Sequence, residues 1–198
     1  MKRILWVVLV VTMALPLAAF ASSVDFTNSG GTLSGDNTGL SLTGSTLSVI
    51  NGLTPTTLYG NLGTLSFTTG AVASGNLQTG ATFMSGGTFS IDSTSMGNLF
   101  TGSFDCSASA CTWTLLTLAD GTHQYTLQGA ISGSWKGGAT VYGATSQLTI
   151  NTGKSLFGGS TTLASGDTSV VVPEPGSLTL MGTGLVGLAG VLRRKLKA

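Results

Sequence analysis

Few side chains in this sequence are suited to acid–base or nucleophilic chemistry. The one histidine, His123, has no acid beside it at a spacing that reveals a catalytic pair. No serine lies in a Gly-x-Ser-x-Gly run, although a Ser-His-Asp triad can also assemble from residues far apart in the chain. The segment 22–171 has no glutamate, so the commonest carboxylate pair of glycosidases is missing. We therefore expect a non-enzymatic protein that needs no cofactor, with a secreted hydrolase as an alternative.

The two cysteines, Cys106 and Cys111, have four residues between them. This spacing differs from the C-x-x-C of redox motifs and zinc knuckles. If the chain is exported, as its ends indicate below, a disulfide is the expected state, and two free buried thiols are the alternative. Because the loop is short, the bond would mainly hold a local turn and would stabilise the fold by about 2 kcal/mol at most.

Two kinds of ligand site are weakly indicated. Asp36, Asp120 and Asp167 lie in Gly/Ser-rich segments and offer oxygen ligands for calcium, but no D-x-D-x-D-G run is present, so we expect them to cap turns and expect no metal. Four aromatic residues could form a platform for sugars: Trp113, Tyr125, Trp135 and Tyr142. Their alternation with polar residues favours the core instead, so a carbohydrate-binding module is an alternative function.

The N-terminus has the form of a secretory signal peptide. Two basic residues precede an apolar run from Ile4 to Leu17. Ala19 and Ala21 then supply the small residues that signal peptidase recognises before Ser22. We predict a helical signal peptide at 1–21 and export of the remaining chain.

The C-terminus contains three parts in order. A stiff strip comes first, formed by Val172, Pro173, Glu174 and Pro175. The uncharged segment 176–192 follows, at the short end of the length that crosses a bilayer as a helix. Four basic residues lie beyond it: Arg193, Arg194, Lys195 and Lys197. Because such residues stay cytoplasmic, we expect a transmembrane helix in the inner membrane, with the body of the protein outside the cytoplasm.

This arrangement resembles the bacterial PEP-CTERM sorting signal, which has a Val-Pro-Glu-Pro motif, a glycine-containing apolar helix and a terminal arginine cluster. The resemblance implies recognition by exosortase, a membrane-embedded cysteine enzyme that cuts near the motif and releases or transfers the protein to the cell surface. It also implies an association with exopolysaccharide, since such substrates typically belong to Gram-negative bacteria that make it. The resemblance covers the segment 172–198 and does not extend to the rest of the chain.

The segment 22–171 is long enough to form one exported domain with its own core. It contains two lysines, Lys136 and Lys154, against six aspartates, which gives a net charge of −4. Nucleic acid is not expected as a partner, because phosphate binding requires clustered Lys and Arg.

Glycine, serine and threonine alternate with apolar residues throughout this domain, a pattern typical of short β-strands. The clearest strand covers 122–135, and one of its faces carries His123, Tyr125, Leu127, Ile131 and Trp135. The segment 111–135 should form a hairpin with Asp120-Gly121 in its connection. Further strands are predicted at 40–50, 62–68, 81–91, 99–106 and 142–150.

Strands with one apolar and one polar face are typical of antiparallel sheets. Their number and spacing favour an all-β fold, an antiparallel β-sandwich or a jelly-roll-like domain, flanked by the two predicted helices. A β-solenoid is the alternative, although no fixed repeat period is visible. We expect an exported, non-enzymatic surface or extracellular-matrix protein that signal peptidase and exosortase process.

Overall fold

The computed structural model describes residues 22–107, 109–136 and 138–172, and all regular structure in these ranges is β. The strands are β1 (Ser22–Ser29), β2 (Thr32–Asp36), β3 (Gly39–Asn51), β4 (Leu58–Thr68), β5 (Val72–Asn76), β6 (Gly80–Phe83), β7 (Gly86–Ser93), β8 (Gly97–Phe104), β9 (Cys111–Thr117), β10 (His123–Trp135), β11 (Thr140–Gly153), β12 (Ser160–Thr162) and β13 (Ser165–Val172). The all-β prediction is confirmed. No helix within the described ranges is long and apolar enough to cross a membrane. The predicted signal-peptide and transmembrane helices lie outside these residues.

Eight of the strands form a closed ring. Their order is β1-β3-β4-β7-β8-β10-β11-β13, and β13 lies beside β1 again. Each pairing whose register is described is antiparallel. The predicted division into the two sheets of a sandwich or jelly roll is therefore not observed, because β10 pairs with both β8 and β11 and so joins the ends of one sheet. The antiparallel pairing also excludes the solenoid alternative for the described residues.

The remaining strands extend this ring. β9, β6 and β5 continue outward from the first half of β10, while β2 pairs with β3 and β12 pairs with β2. β8 pairs with the end of β10, from Ile131 to Trp135, and β9 pairs with its beginning, from His123 to Gln128. The chain that connects β8 to β9, between Phe104 and Cys111, thus lies opposite only Gly129 and Ala130. It must bulge out of the sheet at this point.

The core is built from the inward side chains of this ring. In β10, Tyr125, Leu127, Ile131 and Trp135 are all buried, as the alternation predicts. His123 is only half-buried, because it is the first residue of β10 and lies beside the turn of the β9–β10 hairpin. It therefore lies at the rim of the apolar face rather than in the core.

Two aromatic clusters fill the core. One contains Phe67, Phe89, Phe100 and Phe104, with ring centroids 5.4 to 6.1 Å apart. In the other, Trp113 stacks on Tyr125 at 5.1 Å and meets Phe157 edge-on at 5.6 Å. The polar atoms of this second cluster are paired: the Trp113 indole donates to the carbonyl of Leu77, and the Tyr125 hydroxyl donates to the carbonyl of Gln78. These two bonds hold the β5–β6 turn over the cluster.

Most of the predicted strands are present, but one predicted strand is two strands in the structure. The predicted hairpin is formed by β9 and β10, and Gly121 in its connection has a φ of 80° that suits glycine. The predicted strand 81–91 is divided into β6 and β7, because the chain breaks its ladder at Met84 and Ser85. Strands β1, β2, β5, β12 and β13 were not predicted, since their short polar sequences carry little alternation.

The bulge beside β10 generates a prediction about Gly129. A Cβ atom at this position would lie 2.9 Å from Cδ1 of Phe104 and 3.1 Å from Sγ of Cys111, both of which are held by the core. We expect Gly129→Ala to lower the free energy of unfolding by about 1 to 3 kcal/mol, as overpacking does. Urea unfolding followed by tryptophan fluorescence measures this change.

Gly158→Ala is the matched control, because a Cβ atom at Gly158 would meet no atom within 4 Å. Its effect should stay within about 0.5 kcal/mol. Equal stability of the two variants would show that the sheet accommodates a side chain at the bulge.

Candidate functional site

The processing residues predicted from the sequence lie at the edges of the described structure. Val172 ends β13, and the described residues stop there. The rest of the predicted sorting motif, the basic residues behind it and the signal-peptidase residues Ala19 and Ala21 lie outside the described ranges. These assignments stay predictions.

Cys106 and Cys111 are joined by a disulfide bond, with their Cα atoms 5.1 Å apart. The bond closes the base of the bulge between β8 and β9, so that β9 can resume pairing with β10 and β6. Cys111 is buried and lies opposite Phe83 of β6, while the backbone N–H of Cys106 donates to the Ser85 hydroxyl. The disulfide therefore helps to hold β8, β9 and β6 together at the point where β10 changes its pairing partner.

His123 has no catalytic partner among the described residues. Its Nδ1 atom lies 3.0 Å from the Thr117 hydroxyl across the β9–β10 pair, and no carboxylate in these ranges is hydrogen-bonded to the ring. The residue lies at the end of a hairpin, half-exposed to solvent. This contact is typical of a cross-strand pair in a sheet.

Three aspartates hold turns in the way that the sequence predicts for loop carboxylates. Asp36 and Asp120 each accept hydrogen bonds from the hydroxyl and the N–H of the threonine two residues later, and these bonds lower the pKa of both carboxyls. Asp105 accepts from Ser107 in the bulge and from Ser132 of β10, which lowers its pKa in the same way. Within the described residues, no group of three or more His, Cys, Asp or Glu side chains could hold a metal ion.

The four aromatic residues considered as a sugar platform separate into two groups. Trp113, Tyr125 and Trp135 are in the core, as the alternation favours. Tyr142, which the alternation also favoured for the core, is instead 78% exposed on the outer side of β11, because the register with β10 shifts between Val141 and Ala144. Tyr59 of β4 is exposed as well, but β13, β1 and β3 lie between these two strands in the ring. The described residues therefore contain no platform of adjacent aromatic rings.

Polar side chains instead form regular rows on the outer side of three adjacent strands. We name this surface the β10–β11–β13 face, and its outward residues are Thr126, Gln128, Thr145, Gln147, Thr149, Ser165, Asp167 and Ser169. In one row Gln128 lies opposite Gln147, which lies opposite Asp167. In the next, Thr126 lies opposite Thr149, which lies opposite Ser165. Neighbouring side chains of a row are about 5 Å apart, the spacing of paired strands.

A shallow groove of about 380 Å³ runs along this face and reaches β1. Its exposed lining residues are Asp25, Gln128, Thr145, Gln147, Asp167 and Ser169. Asp167, predicted to lie in a loop, is in strand β13, where the Thr27 hydroxyl of β1 donates to its Oδ1 atom at 2.9 Å. Amide, hydroxyl and carboxylate groups therefore converge here, offering both donors and acceptors to a polar ligand.

Sequence reasoning did not identify this groove. The alternation in the predicted strand 122–135 places Gln128 on the polar face that meets solvent, which is correct. It does not identify which residues of other strands lie beside Gln128. Gln147 and Asp167 lie beside it only because β11 pairs with β10 on one edge and with β13 on the other. A row of Gln and Asp across strands leaves no spacing signal in the sequence, since its members come from separate segments.

The turn at Asp105 generates a prediction of pH dependence. Hydrogen bonds from Ser107 and Ser132 hold the pKa of Asp105 below its ordinary value of 3.8. A group with a lowered pKa in the folded state stabilises the fold above its unfolded pKa, and this contribution is lost as the pH falls through the folded value. We expect Asp105→Asn to reduce the free energy of unfolding near neutral pH, and the difference from wild type to shrink below about pH 4.

Urea unfolding at a series of pH values measures this difference. Ser132→Ala, which removes one of the two donors and keeps the carboxylate, should show a smaller effect with the same dependence on pH. A difference between wild type and Asp105→Asn that stays constant from neutral to acidic pH would contradict the interpretation.

Comparison with known proteins bears on the end of the chain. No curated protein matches the chain. No solved structure matches it either. A family model, the PEP-CTERM protein-sorting motif, matches residues 171–195. The match begins at the end of β13 and includes the Val-Pro-Glu-Pro strip, the uncharged segment and the first basic residues. This chain therefore carries a PEP-CTERM protein-sorting motif, the signal of exported surface proteins that exosortase processes.

Proposed function

We propose that this chain is a non-enzymatic component of the cell surface or extracellular matrix, associated with exopolysaccharide. The observation that carries the proposal is the sorting motif at 171–195, which follows directly on the closed β domain. Export would begin with removal of residues 1–21 by signal peptidase. The helix at 176–192 would then hold the protein in the inner membrane until exosortase acts at the motif.

The β domain has properties that suit this destination. Its charged residues are six aspartates and two lysines, and its outer strand faces carry mainly Ser, Thr, Asn and Gln. Such groups exchange hydrogen bonds readily with water and with sugar hydroxyls. The disulfide is also typical of proteins that reside in an oxidising compartment.

The closed sheet supports a structural role outside the cell. A ring of paired strands leaves no open edge along its eight members, and open edges are the usual template for aggregation. β5 and β12, which each have one unpaired edge among the described strands, are short, and β5 also has a register shift, features that discourage pairing with another chain. A protein with this surface can stay dispersed in a crowded matrix.

The experiment that tests the proposal measures processing of the C-terminus. We expect intact-mass spectrometry of the wild-type protein from its producing cells to show a chain that begins at Ser22 and lacks the segment after the Pro-Glu-Pro region. Glu174→Ala should retain the segment 178–198 and stay in the membrane fraction, because the motif that exosortase recognises is altered.

Asp25→Ala is the matched control, since it removes the same charge from an exposed position in β1 and leaves the motif intact. It should be processed like the wild type. An intact C-terminus on the wild-type protein in the membrane fraction would refute the proposal, leaving an anchored β domain that is not sorted.

A further inference from the structure

The outer faces of the domain differ in how their polar side chains are paired. On β7 and β8, Ser90 and Asn98 both donate to the Asp92 carboxylate, and Thr101 donates to the Asn98 side-chain oxygen. These side chains satisfy one another, so binding a ligand there would first require breaking protein hydrogen bonds.

The β10–β11–β13 face has the opposite character. Among the described residues, the side chains of Gln128, Gln147, Thr145 and Ser169 have no hydrogen-bond partner in the protein. All four line the groove of about 380 Å³. Their donors and acceptors are hydrated, and a ligand with matching groups can replace this water without disrupting the fold.

The backbone beneath these groups is held rigidly. Between them lie the buried side chains Leu127, Leu148 and Thr168, and the Thr168 hydroxyl bonds Ser146 at 3.0 Å inside the sheet. Polar groups mounted on paired strands keep their spacing, so less ordering is needed on binding than for groups on a loop.

The charge of the groove restricts its ligand. Asp25 and Asp167 both line the groove, and neither Lys136 nor Lys154 does. A polymer with many carboxylates or phosphates would be repelled by the two aspartates and would find no cation. A neutral polymer with many hydroxyls can donate to the carboxylates and can both donate to and accept from the two glutamine amides.

We propose that the β10–β11–β13 face binds an uncharged, hydroxyl-rich polysaccharide chain, with Gln128 and Gln147 as the amide contacts and Asp25 and Asp167 as carboxylate acceptors. This assignment rests on the proposed function, because it names the surface and the ligand chemistry through which the protein associates with exopolysaccharide. Tyr142, three residues before Thr145 on β11, offers an exposed ring about 10 Å along the strand from the groove.

The test uses the full chain in detergent and exopolysaccharide purified from the cells that produce the protein. Anion exchange separates this material into a neutral fraction and an anionic fraction, and each is titrated in affinity electrophoresis. We expect wild type to bind the neutral fraction, and the double variant Gln128→Ala with Gln147→Ala to bind it about tenfold or more weakly, since two sets of hydrogen bonds are lost.

The matched control is Gln78→Ala with Asn61→Ala, which removes two exposed amides outside the groove. This variant should bind like wild type, and both double variants should have the thermal midpoint of wild type. A further double variant, Asp25→Asn with Asp167→Asn, should gain affinity for the anionic fraction, because the two carboxylates that repel it are removed.

Each result decides the assignment. Equal binding by wild type and the Gln128/Gln147 variant would overturn it, and so would binding to the anionic fraction alone or to neither fraction. Failure here leaves the proposed function standing if the wild-type C-terminus is processed, because that experiment is independent of the groove. An unprocessed C-terminus would instead remove the proposed function itself.

Discussion

The architecture depends on the hydrogen bonding of one strand, β10, along both of its edges. One edge pairs with β11 from His123 to Ser134, while the other pairs first with β9 and then with β8. This pairing joins the two ends of the sheet and satisfies backbone groups that would otherwise be exposed at an edge or buried without a partner. The cluster of four phenylalanines lies on strands of this ring, whereas the β5–β6 turn covers the Trp113 cluster.

The pairing partner of β10 changes from β9 to β8 along the strand, and several residues stabilise the chain at the point of this change. The chain that connects β8 to β9 leaves the sheet opposite Gly129 and Ala130, the disulfide closes the base of this bulge, and Asp105 is hydrogen-bonded to Ser132. Gly129 makes room for Phe104 and the Cys111 sulfur. A glycine, a disulfide and a charge-assisted hydrogen bond thus act on the same short stretch of the sheet. They stabilise this stretch in a domain whose many glycines give the unfolded chain more conformational freedom.

The same ring determines the chemical character of the surface. Alternation places apolar side chains inside, so every second residue of each strand faces water, and in this chain those residues are mostly uncharged and polar. On β7 and β8, neighbouring side chains form hydrogen bonds with each other, so their donors and acceptors are already paired. On the β10–β11–β13 face the side chains are not paired in this way, so they can form hydrogen bonds with a partner.

The sequence by itself determined the properties that depend on local order. The C-terminal sorting signal could be interpreted because it is a contiguous run, and the motif match at 171–195 agrees with it. The signal peptide at 1–21 stays a prediction. The alternation from Tyr125 to Trp135 predicted a buried face, and the β9–β10 hairpin followed from adjacent segments joined by Asp120-Gly121. The tertiary structure alone decided the closure of the sheet and the meeting of Thr27 with Asp167, residues that are 140 positions apart. These features depend on which strands pair and in which register, and that choice is made by the packing of the whole core rather than by any local pattern.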